Sequence, residues 1–262
     1  MDKDKEYYAR FGGIGRVFGL RGMEKIKQSS ILIIGIGGVG SWVAEALARS
    51  GIGSLILVDL DDICVTNINR QVHAISETVG KFKVDVMKDR ILSIHPHCLV
   101  ETKQCFFSPK NLESIFDRKY DFVIDACDDF TNKCHLIDYC RTNHFPLVVM
   151  GGAGGKIDPQ QIRVTDMATS SNDRLLARLR KKLRQDFSFP LEHEGDFGIW
   201  AVWSHERAMY PTSDGCLTYL PPGMAKNMDC EEGFGSASFV TGAFAFAASS
   251  LALRELTKEE RL

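Results

Sequence analysis

Asn67, Arg70, Lys83 and Asp128 supply an amide, two cations and a carboxylate. In-line attack at an α-phosphorus needs positive charge on the departing pyrophosphate, which Arg70 and Lys83 can provide, and an acidic ligand for Mg²⁺, which Asp128 can provide. A hydride transfer needs none of these. Ahead of them runs "GIGGVG", with Gly35, Gly37 and Gly40 on the G-x-G-x-x-G spacing and Gly38 between them. Such a turn between a strand and a helix lets the backbone approach a phosphate closely and aims free amides at it. Asp59 follows Gly35 by 24 residues, near the spacing of a carboxylate that grips ribose hydroxyls. That much would suit NAD. The residues after Asp59 favour ATP with Mg²⁺.

These groups work only if a sheet carries them to one edge. The apolar runs 31–35, 55–59, 120–126 and 146–152 are short and β-branched, as strands buried on both faces should be. Helical patterns alternate with them: Val84, Met87 and Ile91 fall on one face, and Cys134, Ile137 and Cys140 on another. The alternation predicts a Rossmann-like, doubly wound, mostly parallel α/β sheet over about 25–155, with the site at the switch point. Beyond Gly155 the pattern fades to a strand in "QQIRVTD", a basic helix in "SNDRLLARLRKKLRQDF", an aperiodic stretch over 186–235 and a last helix. No Pro/Gly/Ser linker intervenes, so 1–262 reads as one domain, with a nucleotide-binding half (1–155) and a substrate or dimer half (156–262) that returns strands and a helix to the sheet.

Composition narrows the function. At 262 residues, 44% hydrophobic and 25% charged, the chain is long enough for a large core. A net charge of -2 offers no global attraction to nucleic acid or membrane, so a polyanion must meet a local basic face. Eight cysteines are scattered with no C-x-x-C pair, which argues against a disulfide scaffold and a structural zinc. The start "MDKDKEYYARF" lacks an apolar signal core, and the expected location is the cytoplasm. Between Glu232 and Arg254 no residue is charged, but Gly, Ala, Ser and Thr dominate. Such a composition fits a buried helix rather than a membrane span.

The glycine turn, Asp59, Asn67, Arg70, Lys83 and Asp128, in that order, resemble the ThiF/MoeB-like superfamily of carboxylate-adenylating enzymes. The resemblance runs from Arg10 to about Gly155 and implies that these residues bind ATP, with Asp128 on Mg²⁺ and Arg70, Lys83 and Asp128 acting in catalysis. Through "VTNINRQVHA", "GGAGGKIDPQQIRVTD", "YPTSDG" and "MDCEEGFGSAS" it extends to the branch that dehydrates a threonylcarbamoyl-modified adenosine of tRNA. That branch implies adenylation of the threonyl carboxylate, ring closure by the ureido group of the same molecule, and a homodimer. In its N-terminal motif the superfamily carries an arginine that reaches the partner's nucleotide. Here Gly13 falls at that place, with Arg10 and Arg16 nearby. Activation of a ubiquitin-like sulfur carrier is the rival activity, and the missing zinc ribbon counts against it. A sulfur-relay scaffold is the rival of another class.

Two further features have a bland and a sharp reading. Cys230, in "MDCEEGFG", could accept an acyl group or a persulfide from a cysteine desulfurase partner, although two following glutamates would raise its pKa. Cys127 reads as a small core hydrophobe. The basic helix places Leu175, Leu179 and Leu183 on one face and Arg174, Arg178, Arg180, Lys181, Lys182 and Arg184 elsewhere. Such a helix is a solvated charged face or a tRNA phosphate contact, the latter through Arg174, Arg178, Lys181, Lys182 and Arg184.

Overall fold

The computed structural model describes residues 3–212, 214–220 and 235–260. Five parallel strands form its centre: β1 (Ser30–Ile34), β2 (Ser54–Val58), β3 (Leu99–Lys103), β4 (Phe122–Asp125) and β5 (Leu147–Met150). Two strands of the C-terminal half, β6 (Ile162–Asp166) and β7 (Trp200–Ser204), continue the same sheet. Its order is β3-β2-β1-β4-β5-β7-β6, with β7 parallel to β5 and β6 antiparallel to β7. The chain leaves β1 toward β2 on one side and returns to β4 on the other, so the switch point falls between β1 and β4.

Alternation along each strand builds a core on both faces. Ile31 and Ile33 point to one side, Leu32 and Ile34 to the other, and all four are buried. The first face is covered by helices α2 (Gly40–Arg49) and α3 (Lys83–Ile94), and the second by α5 (Phe130–Thr142) and α6 (Arg174–Asp186). A single turn, α4 (Leu112–Ile115), precedes β4. The uncharged C-terminal stretch forms α7 (Ser238–Leu256) on the first face, long and apolar enough to cross a membrane. It buries Gly242, Ala245, Ala248 and Ala252 together with Phe244, and these small residues bring it close against α2 and the sheet.

Several elements had no clear signal in the sequence, among them β7, which lies in the stretch 186–235 where no period is visible; two others show why. The N-terminal helix α1 (Lys3–Gln28) contains five glycines and is broken at Gly19, whose φ of 78° only glycine adopts readily. Tertiary contacts hold it: Tyr7 Oη donates to the Gly51 carbonyl at 2.8 Å, and Phe11 packs on His95. The edge strand β3 reads "LVETK", and its Lys103 pairs with Asp117 at 3.0 Å. A charged edge resists pairing with another sheet and hides the strand from a search for apolar runs.

Candidate active site

Gly35 ends β1 at a φ of 90°, and a Cβ there would lie 2.7 Å from the Ala126 carbonyl oxygen. The strand therefore turns tightly beside the end of β4. At the start of α2, a Cβ on Gly40 would fall 1.8 Å from the Gly35 carbonyl oxygen. Gly40 is thus a packing residue that seats the helix on the turn, and it does not line the crevice. The residue at the helix N-cap, Val39, makes no side-chain cap; the Ser41 amide is taken by the Gly37 carbonyl at 3.1 Å, and a helix start without a side-chain cap favours an anion at its other amides.

A crevice of about 550 Å³ opens over this turn. Gly35, Gly37, Gly38, Asp59, Asn67, Arg70, Lys83 and Asp128 all line it. Asp59, at the end of β2, is buried, and its two carboxylate oxygens accept from the Ile36 amide at 2.6 Å and the Asp61 amide at 2.9 Å. Burial raises its pKa, and these two amides and the Lys83 charge oppose the rise. The Asp59 carboxylate is thus oriented by backbone amides on both of its oxygens.

Lys83 is buried at the start of α3 and pairs with the half-exposed Asp61 at 2.6 Å. Asp61 thus holds the Lys83 ammonium at the wall of the crevice. Asn67 is buried in the loop after β2, where its Oδ1 accepts from the Cys64 amide at 3.0 Å. The stem of Arg70 passes over Gly38, where a methyl group would sit 3.4 Å from its Cγ. Its guanidinium donates to the Thr66 carbonyl at 2.8 Å, and its own carbonyl accepts from Trp42 Nε1 at 3.0 Å. Arg70 is anchored at the backbone by α2, and its head is half exposed to the crevice.

Asp128 is exposed just past β4. Beneath it, Asp125 and Lys133 form an ion pair at 2.8 Å, both completely buried, and Lys133 Nζ also donates to the Cys127 carbonyl at 3.0 Å. Burial opposes the charge of Lys133, but the groups around it, Asp125 foremost, together outweigh burial and the ammonium persists. Cys127 packs partly buried against the core of the second face, as its strand-end position suggests, and it also borders the site. Its Sγ donates to Asp125 at 3.0 Å, while burial and the Asp125 charge push its pKa well up, which keeps it a neutral thiol.

The donor set suits Mg²⁺ bound through a nucleotide. Mg²⁺ keeps several waters and takes one or two carboxylates plus phosphate oxygens. Asp128 is such a carboxylate at the mouth, and no cluster of three His, Cys, Asp or Glu side chains exists among the described residues to form an all-protein cage.

The crevice also contains residues that spacing did not mark. Gln71, Cys105, Phe106, Phe107, Ser236 and Thr241 line it, as does the glycine run 151–154 after β5. "GGAGG" was the available signal, because a run of glycines after a strand permits close approach to a ligand. Cys230 lies outside the described residues.

The basic helix α6 differs from the expected arrangement. It buries Leu176, Leu179 and Leu183, while Leu175 is turned toward the crevice. Arg184 donates to the Pro190 carbonyl at 3.0 Å and pairs with Glu192 at 3.1 Å, so its guanidinium is engaged within the chain. Lys182 pairs with Asp186, and Arg178 lies 4.6 Å over the Phe130 ring. Arg178, Lys181 and Lys182 remain on an exposed face. Of the two N-terminal arginines, Arg10 pairs with Glu6 at 2.8 Å, and Arg16 is exposed on α1 near the equally exposed Val17 and Leu20.

A parallel sheet whose switch point carries a glycine turn, a buried carboxylate, two cations and an exposed acidic residue in one crevice has the layout of a nucleotide-dependent adenylating enzyme. The chain belongs to the ThiF family, whose model matches residues 12–260. It is 47% identical to the tRNA threonylcarbamoyladenosine dehydratase of Escherichia coli (strain K12), over 94% of this chain and 93% of that protein. It is 44% identical to the Haemophilus influenzae protein of the same name, over 99% and 98%. The solved structure of the Escherichia coli dehydratase, TcdA, in complex with ATP superimposes with a TM-score of 0.86 at 43% identity, covering 97% of this chain and 96% of that one.

Proposed function

We propose that this protein is an ATP-dependent tRNA threonylcarbamoyladenosine dehydratase. The observation that carries the reading is the convergence of Asp59, Asn67, Arg70, Lys83 and Asp128 on one crevice over an uncapped helix N-terminus. Near-complete coverage of relatives with that activity supports it.

In this reading Asp59 holds the ribose hydroxyls, and the amides at the start of α2 hold the phosphates. Arg70 and Lys83 stabilise negative charge as a threonyl carboxylate oxygen bonds to the α-phosphorus and pyrophosphate departs. Asp128 would hold Mg²⁺, which when bound neutralises phosphate charge. The product is a mixed anhydride. The ureido group of the same substrate then bonds to the activated acyl carbon, loses its proton and expels AMP, closing a five-membered ring. Effective molarities of order 10⁵ M or more favour such intramolecular attack, and it requires no enzymic nucleophile.

The exposed side chains of Arg178, Lys181 and Lys182 would meet tRNA phosphates. A homodimer is supported by the apolar side chains left exposed on α1 and α7, Val17 and Leu20 on one and Phe239 and Phe246 on the other. Arg16 would then be the arginine that reaches the partner's nucleotide. We read both halves of the chain as one unit acting in the cytoplasm, where tRNA is.

Nucleoside mass spectrometry of tRNA incubated with the protein, ATP and Mg²⁺ tests the reading. The modified adenosine should lose one water in an ATP-dependent manner, with AMP and pyrophosphate released. No change in mass would overturn it.

A further inference from the structure

A second cavity, of about 430 Å³, lies beside the nucleotide crevice and shares Gly152, Gly154 and Leu175 with it. Part of its floor is internally neutralised. Lys156 is buried, donates to the Gly152 carbonyl at 2.6 Å and lies 3.7 Å from Asp173. Asp173 in turn caps α6 through the Leu176 amide at 3.0 Å and accepts from the Gly152 amide at 2.9 Å. Arg180 is likewise engaged, by the Ser170 hydroxyl.

The walls are different. Arg174 donates to the Tyr210 hydroxyl at 2.9 Å, and the Arg207 guanidinium stands 5.2 Å over the Tyr219 ring. Neither arginine makes an ion pair among the described residues. The cavity therefore presents two guanidinium groups and two aromatic rings above a floor where Asp173 offsets Lys156 and Arg180 adds a further positive charge. Its size is that of a nucleoside-scale ligand. Arginine planes and tyrosine rings are the side chains that bind unstacked bases, and guanidinium is the usual partner of a carboxylate.

Resting on the dehydratase reading, we propose that this cavity is the subsite for the modified nucleoside. Arg207 and Tyr219 hold the splayed purine. Arg174, steadied by Tyr210, takes the threonyl carboxylate and presents it through the gap at Gly152 and Gly154 to the α-phosphate. A cation is needed there because carboxylate and triphosphate repel each other, and Arg174 screens the approach. Arg174 is thereby assigned to substrate recognition, and phosphate contact along the rest of the tRNA falls to the outer face of α6.

The test uses two anticodon stem-loops of one sequence, one carrying the threonylcarbamoyl-modified adenosine and one unmodified. The wild-type protein should bind the modified RNA more tightly. In Arg174→Gln and Arg207→Ala that preference should fall tenfold or more, and KM for the modified RNA should rise by a similar factor, with ATP affinity and melting temperature unchanged. Tyr210→Phe should lose part of the preference, because Arg174 loses its positioning partner. Equal weakening toward both RNAs would make these arginines phosphate contacts and overturn the assignment, as would an unchanged preference. If the wild-type protein binds ATP but leaves the modified stem-loop uncyclised, the dehydratase reading falls and the assignment falls with it. That outcome is distinguished by the wild-type control alone.

Discussion

The nucleotide crevice and the cavity beside it share an edge at Gly152, Gly154 and Leu175, yet they are built in different ways. The crevice is made by strand ends and the short loops that follow them. Asp59 closes β2, Asp128 follows β4, and Lys83 opens α3. Its charges are aimed by backbone amides or held by a neighbouring carboxylate. The cavity takes Arg174 from a helix start, and Arg207, Tyr210 and Tyr219 from irregular chain and from the two-stranded ribbon of β8 (Tyr210–Pro211) and β9 (Leu217–Thr218). One region is thus framed by regular elements and the other largely by irregular chain, as the proposed roles of a constant ligand and a selected one would require.

The sharpest break in that contrast comes from the crevice charges. Arg70→Ala and Asp128→Ala should each lower kcat a hundredfold or more, the order of effect expected when about 3–4 kcal/mol of transition-state stabilisation is removed. Both side chains reach solvent, so thermal melting should be near wild type. Single-turnover AMP formation measures the effect. Retention of more than about a tenth of the activity would mean that the crevice charges bind without catalysing.

Rigidity itself is tested at Gly40. A methyl there would meet the Gly35 carbonyl oxygen at 1.8 Å, so Gly40→Ala must displace α2 from the turn. Overpacking of this kind costs about 1–3 kcal/mol, which should appear as a lower melting temperature together with weakened ATP binding. A variant that melts lower but binds ATP normally would show that the turn tolerates movement.

On the side of the selected ligand, replacing Arg178, Lys181 and Lys182 together by Gln should weaken tRNA binding. It should also flatten the slope of log K against log salt by about 0.7–0.9 for each phosphate no longer neutralised. ATP affinity should not change. An unaltered slope would return this face to a solvated surface.

The smallest effect involves a group outside both regions. His95 is buried against Tyr7 and Phe11, and burial lowers its pKa to about 4. The unfolded chain takes up this proton near pH 6.5 and the folded one only near 4. Its contribution to stability is therefore full above about 6.5 and is lost as pH falls toward 4, at no more than about 1.4 kcal/mol per pH unit. His95→Phe should make the melting temperature less sensitive to acid over that window without touching catalysis. His73, buried and also lowered to about 4, should preserve part of the acid sensitivity.

The same difference in construction decides what can be read from the sequence. Gly35, Asp59, Arg70, Lys83 and Asp128 are legible because a tight turn and a parallel sheet impose fixed chemistry at fixed distances along the chain. Strand centres such as Ile31–Ile34 are legible because burial on both faces leaves an unbroken apolar run. The N-terminal helix is not, since its glycines argue against a helix and tertiary packing of Tyr7, Phe11, Met23 and Ile26 holds it. Leu175 reads as part of the buried face of α6 because 3.6 periodicity fits it nearly as well as Leu176. No spacing rule connects Arg174 with Arg207 and Tyr219, which meet only through the course of irregular chain.

Lys133 and Asp125 have a consequence for how this sequence can drift. Each is completely enclosed, and each is the other's only opposite charge within ion-pair distance among the described residues. Removal of either alone leaves a full charge stranded under the loop that carries Asp128, a change that typically destabilises by about 3–5 kcal/mol. Joint replacement by apolar residues of similar volume avoids the stranded charge. Descendants of this chain can therefore shed the pair in one coordinated exchange far more readily than one member at a time, and positions 125 and 133 are expected to covary.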